Sequence, residues 1–217
     1  MSSGGFLRRQ LRYKYYNATI ILIAVNVVVF LAEFLTGLYG GRGLAGYLAL
    51  TPALVIQGGA WWQVVTYMFA HANFWHLFFN MLTLYLFGIQ LEHRMGSSEF
   101  LLFYFVAGIG AGLVTLVVNW YTGQGLVPVL GASGAIFGLL LAFAAFFPNA
   151  MLYIFGILPM RAPTAVLVFI VINLFSLFTG LSAGVANLTH LAGVLFGWVL
   201  LRVRYGVNPM DAFIRRR

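Results

Sequence analysis

The sequence predicts an all-α fold, a polytopic membrane protein whose chain crosses the bilayer six times, and three observations predict it. The chain is 62% hydrophobic and 7% charged, with a mean hydropathy of +0.96, whereas a water-facing domain carries about 25% charged residues. No Asp, Glu, Lys or Arg occurs between Arg42 and Glu92, from Phe100 to Met160, or from Ala162 to Leu201. The basic residues collect at the ends, with Arg8, Arg9, Arg12 and Lys14 before the first apolar run and Arg202, Arg204, Arg215, Arg216 and Arg217 after the last. A water-soluble globule is excluded, and so is a disordered chain. The net charge of +8 does not describe a nucleic-acid surface, because basic flanks on an apolar chain act as cytoplasmic anchors beside anionic lipid head groups. The absence of cysteine excludes a disulfide framework, a thiol nucleophile and a Cys-ligated metal.

Residues 1–17 read as a basic tail without a signal peptide's apolar core and cleavage site, so the first span is expected to be retained. That span runs from Thr19 to about Tyr39 and ends in a break at Gly40, Gly41 and Gly43. The apolar run Leu44–Ile56 is interrupted by Pro52 and is too short to cross about 30 Å of hydrocarbon. It is expected to be a structured loop lying in the interface, with Trp61 and Trp62 as aromatic anchors. Segment two covers about Asn73 to Leu91 and stops at Glu92-His93-Arg94. Segment three covers Phe100 to about Asn119, followed by a polar, glycine-rich connector. Segment four starts near Gly131 and stops at Pro148-Asn149, and residues 150–163, with Pro159, Arg161 and Pro163, read as a further connector. Segment five is about Thr164 to Phe178, Gly180 to Asn187 a loop, and segment six Leu188 to about Leu201. Residues 18–205 thus form one six-helix domain, and residues 206–217 a second basic tail. Six spans put both basic termini on one side, and Arg94 and Arg161 fall in loops on that same side. By the positive-inside rule that side is the cytoplasm.

Polar side chains are expensive in hydrocarbon, so their positions carry most of the functional information. Segments two, four and six all run from outside to inside, and their starts share one shallow layer. That layer holds His71, His76 and Asn80, then Ser133, then His190. Gly131-Ala132-Ser133-Gly134 is a GxSG tetrapeptide, for which chance gives roughly 0.1 matches in this composition. In a membrane helix Gly134 and Gly138 also make a small-residue packing face. His190, Gly193 and Gly197 fall on one helical face that can press against segment four, bringing imidazole to the serine oxygen. His76 and Asn80, at i and i+4, lie one above the other and suit a developing oxyanion, because both donate without adding a full charge. The same pair also suits a polar stripe between helices.

The only acids are Glu33, Glu92, Glu99 and Asp211. The last three lie at the cytoplasmic side, a bilayer away from Ser133, and Glu33 shares its helix with no histidine. A Ser-His-Asp triad is therefore not available, and a nucleophilic serine would rely on a histidine alone, as a dyad. Glu92 and Arg94 read as structural residues that lock a short loop, and Glu33 as protonated or paired with Arg42 or a loop hydroxyl. Two other readings fit the same residues. His71, His76 and His190 could ligate zinc, or the chain could bind membrane helices without cleaving them. A transporter fits less well, because the polar residues cluster near one surface and not at the midplane.

The stretches His71-Ala-Asn-Phe-Trp-His76-Leu-Phe-Phe-Asn80-Met81, Glu92-His93-Arg94, Gly131-Ala-Ser133-Gly134 and His190-Leu-Ala-Gly193-Val-Leu-Phe-Gly197 together resemble the rhomboid intramembrane serine proteases. The similarity runs from Trp62 to Gly197. It implies a rhomboid-like six-helix bundle with a membrane-embedded first loop, Ser133 as nucleophile and His190 as general base. It also implies an oxyanion hole of His76, Asn80 and the Ser133 backbone N–H lined by Gly131, with His71 bracing the loop and its water and Phe137 stacked on His190. Segment five and the loop after it would form a lateral gate and cap. The substrates would be single-span membrane proteins, with lipid as the surrounding partner and no cofactor or metal. Where many relatives carry Trp-Arg before segment two, this chain has Trp62-Gln63.

Overall fold

The computed structural model describes residues 10–37, 43–154, 157–180 and 184–214. Arg8, Arg9, Gly40, Gly41, Arg42, Arg215, Arg216 and Arg217, which entered the topological reading, lie outside the described residues. The first span is α1 (Ala18–Gly37). It is followed by three short helices, α2 (Gly43–Leu48), α3 (Pro52–Ile56) and α4 (Gln63–Thr66), and a 3₁₀ turn at Tyr67–Phe69. The second span is one rod, Phe74–Met95, made of α5 (Phe74–Thr83), a π-helical turn (Leu84–Gly88) and α6 (Ile89–Met95). Then come α7 (Ser97–Tyr121), α8 (Ser133–Phe146), α9 (Ala162–Thr179), α10 (Gly184–Val203) and a terminal turn of helix, α11 (Met210–Ile214).

Five of these helices are long and apolar enough to cross a membrane, and α8 is apolar but shorter. At about 1.5 Å per residue, the fourteen residues of α8 reach only about 21 Å. The bundle wears its apolar side chains outward: Val28, Phe34, Phe79, Val117, Ile172 and Phe178 are all exposed, as a lipid solvent requires. The chain is an integral, polytopic membrane protein. Helix α8 sits at its centre, packed against α7, α9 and α10, with Ile136, Leu139, Leu140, Leu141 and Phe143 buried.

Glycine makes that centre possible. A Cβ on Gly193 would lie 1.9 Å from the Gly134 carbonyl oxygen, and one on Gly197 would lie 2.9 Å from the Gly138 backbone. Without a large hydrophobic drive between helices in lipid, such backbone contact lets dispersion hold the pair together. The stripe Gly134/Gly138 on α8 and Gly193/Gly197 on α10 is therefore one seam, and it fixes how close the two helices stand.

The end of the bundle that joins the start of α1 to the end of α10 is held by two buried carboxylates. Glu92 accepts from the backbone N–H groups of Ala18 (2.6 Å) and Thr19 (2.9 Å) and from the Ser97 hydroxyl, so it caps the open start of α1, where a negative charge also meets the helix dipole. Glu99 accepts from Leu11 N (2.5 Å), Tyr205 OH (2.8 Å) and Arg204 Nε (2.8 Å) and Nη2 (2.5 Å), tying the segments before the first span and after the last to α7. The described segments on either side of the helical bundle, residues 10–17 and 204–214, thus come together on α7 through Glu99.

The structure differs from the sequence reading in four places. Residues 151–161, read as an irregular connector, contain a hairpin, β1 (Met151–Ile154) antiparallel to β2 (Leu158–Arg161). Pro159 signalled a breaker, but in a two-stranded ribbon every strand is an edge, where a missing N–H is tolerated. The run Leu44–Ile56 holds more helix than a structured loop requires: α2 and α3 occupy it on either side of Ala49–Thr51, and Pro52 sits in the first turn of α3, where its fixed φ favours a start and not an interruption. Helix α10 begins at Gly184, four positions before the expected Leu188, with Asn187 buried in its first turn. Glu92 does more than lock the short loop after it: besides holding Ser97 across that turn it caps α1, while the Arg94 guanidinium lies 5.8 Å over the Phe146 ring.

Candidate active site

Ser133 is the first residue of α8. The turn before it needs glycine twice over, since Gly131 has φ +111° and a Cβ there would stand 2.7 Å from the His76 ring. The turn is tied down through Gly131 N, which donates to the Tyr67 carbonyl at 2.8 Å, and through Tyr67 OH, which donates to the Gly108 carbonyl at 2.6 Å.

His190 on α10 faces Ser133 across the glycine seam, with Nε2 2.8 Å from Oγ. Its ring lies flat on Phe137, centroids 4.2 Å apart and planes 6° from parallel, so a residue of α8 sets the plane in which the imidazole meets the hydroxyl. Its Nδ1 is 2.8 Å from Asn173 Oδ1 on α9.

His76 and Asn80, one turn apart on α5, border the turn that leads into Ser133, with His76 against Gly131 and Asn80 Nδ2 close by. Asn73 starts that helix, its Oδ1 accepting from His76 N at 2.9 Å. Ala72 N donates to His76 Nδ1 at 3.4 Å, which makes Nδ1 the acceptor and leaves the ring proton on Nε2, toward the Gly131 turn. One hydrogen of the Asn80 amide goes to the His76 carbonyl at 2.9 Å, leaving the second available as a donor.

His71 lies outside this constellation, in the turn ahead of α5. Its Nδ1 donates to the Phe69 carbonyl (3.2 Å), its backbone N–H to Glu33 Oε2 (3.2 Å), and its ring meets His76 edge-on at 5.1 Å. Burial, with a smaller push from His76, lowers its pKa to about 4, so the ring is a neutral brace at ordinary pH. Glu33 therefore pairs with a backbone amide of the loop. The Arg42 alternative lies outside the described residues. Gln63 does what the departure from Trp-Arg left open: its Oε1 accepts from Thr51 N (3.0 Å) and its Nε2 donates to the Tyr47 carbonyl (3.2 Å), joining α4 to α2 and α3.

Among the described residues no three of His, Asp and Glu are set to hold a metal ion. His190 spends both ring nitrogens on Ser133 and Asn173, which deprives a three-imidazole site of its third ligand. The sequence reading did not single out Asn173. The available signal was its isolation, a carboxamide in an otherwise apolar stretch of segment five. What converges is thus a hydroxyl hydrogen-bonded to an imidazole acceptor, beside two N–H donors aimed at the same turn. Such a set can take a proton from the hydroxyl and receive negative charge next to it.

Residues 58–206 match the model of the Rhomboid domain. The chain is 33% identical over 206 residues to Rhomboid protease GluP of Bacillus subtilis (strain 168), across 91% of this chain and 36% of that protein. It is 32% identical over 162 residues to RHOMBOID-like protein 5 of Arabidopsis thaliana (71% of this chain, 50% of that protein). It is 29% identical over 168 residues to Rhomboid protease AarA of Providencia stuartii (70% and 58%). The chain thus spans 36% to 58% of the length of these relatives.

Proposed function

The chain belongs to the rhomboid family, and from that premise we propose that it is an intramembrane serine endopeptidase working with a Ser133–His190 dyad. The observation that carries this reading is the 2.8 Å hydrogen bond between Ser133 Oγ and His190 Nε2, made by residues from two separate spans. Ser133 Oγ attacks the scissile carbonyl carbon while its proton passes to His190 Nε2. The carbonyl oxygen, now anionic, is received by His76 Nε2–H, the Asn80 amide and the Ser133 backbone N–H, with Gly131 leaving the room. The tetrahedral intermediate collapses, the leaving amine takes the proton from His190, and water hydrolyses the acyl-enzyme by the same route in reverse. His71 and Phe137 support the loop and the ring, while Glu92, Arg94, Gly134, Gly193 and Gly197 hold the scaffold.

The substrates in this reading are single-span membrane proteins. A helical substrate keeps its carbonyls within its own hydrogen bonds, so segments carrying helix-destabilising residues and a small residue before the scissile bond are favoured. The shortness of α8 supports a site sunk below the membrane rim, since about 21 Å of helix does not fill about 30 Å of hydrocarbon. The charge pattern supports residues 18–205 as the protease domain between two cytoplasmic tails, with the site toward the outer face; the membrane in this reading is a bacterial cytoplasmic one. Cleavage of a reporter transmembrane helix in detergent tests the assignment. Ser133→Ala should lose about 10⁴-fold or more in turnover while staying folded, and cleavage at the parent's rate would remove Ser133 from the chemistry.

A further inference from the structure

We propose that Asn173 is the positioning residue of this site, holding His190 in the tautomer and ring orientation that present an acceptor nitrogen to Ser133. This rests on the reading of Ser133 and His190 as the reacting pair and adds to it a third group, delivered by α9.

The argument starts from the carboxamide. Asn173 Nδ2 donates to the Phe169 carbonyl of its own helix at 2.8 Å, so the amide oxygen faces the imidazole, 2.8 Å from His190 Nδ1. An amide oxygen only accepts, so Nδ1 carries the proton of the neutral ring. Nε2 is then an acceptor, directed at the Ser133 hydroxyl 2.8 Å away. The stack on Phe137 fixes the plane of the ring but permits a half-turn within that plane, which would exchange nitrogen for carbon at the serine. The bond to Asn173 removes that freedom. When Ser133 Oγ bonds to the substrate carbonyl carbon, its proton moves to Nε2 and the imidazolium keeps Nδ1–H on the Asn173 oxygen. The proton then leaves from Nε2 to the departing amine.

Burial supports a role beyond packing. Asn173 is 6% exposed on a helix whose neighbouring positions Val171, Ile172, Leu174 and Phe175 are apolar and exposed. Burying an amide costs free energy unless its groups are bonded, and Asn173 bonds to its own helix and to His190. Asparagine also fits the absence of a carboxylate from this end of α9. It accepts the Nδ1 proton without adding a charge to an apolar setting.

Two substitutions separate positioning from packing, each made in the full chain in detergent. Asn173→Leu keeps the shape and removes the acceptor; Asn173→Asp keeps an acceptor at the same atom. The expected result is a loss of about 10- to 100-fold in kcat for Asn173→Leu with KM unchanged, and near-parent kcat for Asn173→Asp. A packing role predicts the reverse order, since leucine suits an apolar helix better than aspartate does. Nitrogen-15 spectra of labelled histidine, assigned against His190→Ala, should show the His190 proton on Nδ1 in the parent and in Asn173→Asp, and a mixture of tautomers in Asn173→Leu. Parent kcat together with an unchanged tautomer in Asn173→Leu would overturn the proposal. If Ser133→Ala is inactive and Asn173→Leu fully active, only this inference falls; if Ser133→Ala cleaves normally, the reading beneath it falls first.

Discussion

The two ends of the bundle both bury carboxylates in apolar surroundings, and they treat them oppositely. At the end that joins the start of α1 to the end of α10, the carboxylates are saturated: Glu92 accepts from two backbone amides and a hydroxyl, and Glu99 from an amide, a phenol and both nitrogens of a guanidinium edge. At the other end groups are left over. Glu33 Oε1 and His71 Nε2 are buried with no hydrogen-bond partner, and the His76 Nε2 proton and one Asn80 hydrogen are directed at an open turn. Where acceptors and donors are matched to one another, the polar layer serves stability. Where donors remain unspent beside a hydroxyl–imidazole pair, it is prepared for charge that arrives only with a ligand.

That contrast can be broken from either side. Removing a matched group should cost folding and not chemistry. Glu99→Ala takes away the carboxylate shared by Leu11, Arg204 and Tyr205, and should lower stability in detergent by about 3–5 kcal/mol, read as a drop in the thermal midpoint. Its kcat per folded molecule should stay that of the parent, and a large fall in kcat would show the two ends to be coupled. Removing an unspent donor should do the opposite. Asn80→Ala should slow turnover about 10²-fold with little change in the midpoint, and an unchanged rate would take Asn80 out of the oxyanion site. The smallest effect is expected in the first loop, where Gln63→Ala should cost about 1 kcal/mol of stability through loss of its bonds to Thr51 and Tyr47. A variant as stable as the parent would mean that other contacts hold that loop.

Much of this was legible in the sequence because the bilayer makes polar side chains conspicuous. His76, Asn80, Ser133 and His190 stand out as polar residues at the starts of apolar segments, and helical periodicity alone puts His76 over Asn80 and His190 over Gly193. The seam was legible for the same reason, since glycines four apart on two spans have few other uses. Asn173 was not, because its meaning depends on the rotation of α9 against α10, which no spacing within either helix encodes. Glu33 stayed unassigned until the fold brought α1 to the turn at His71. Glu92 was legible as a structural residue at the end of segment two, but its cap on α1 was not, because only the fold brings the open N–H groups of Ala18 and Thr19 to it. The β1–β2 hairpin was masked by Pro159 and Pro163, whose usual message is irregular chain.

The most direct test is labelling by a fluorophosphonate probe in the parent, Ser133→Ala and His190→Ala proteins, each verified as folded. The account predicts adduct on Ser133 in the parent and none in either variant, because the hydroxyl reacts only with its proton acceptor in place. Undiminished labelling of Ser133→Ala, or of Ser133 in the His190→Ala protein, would contradict it.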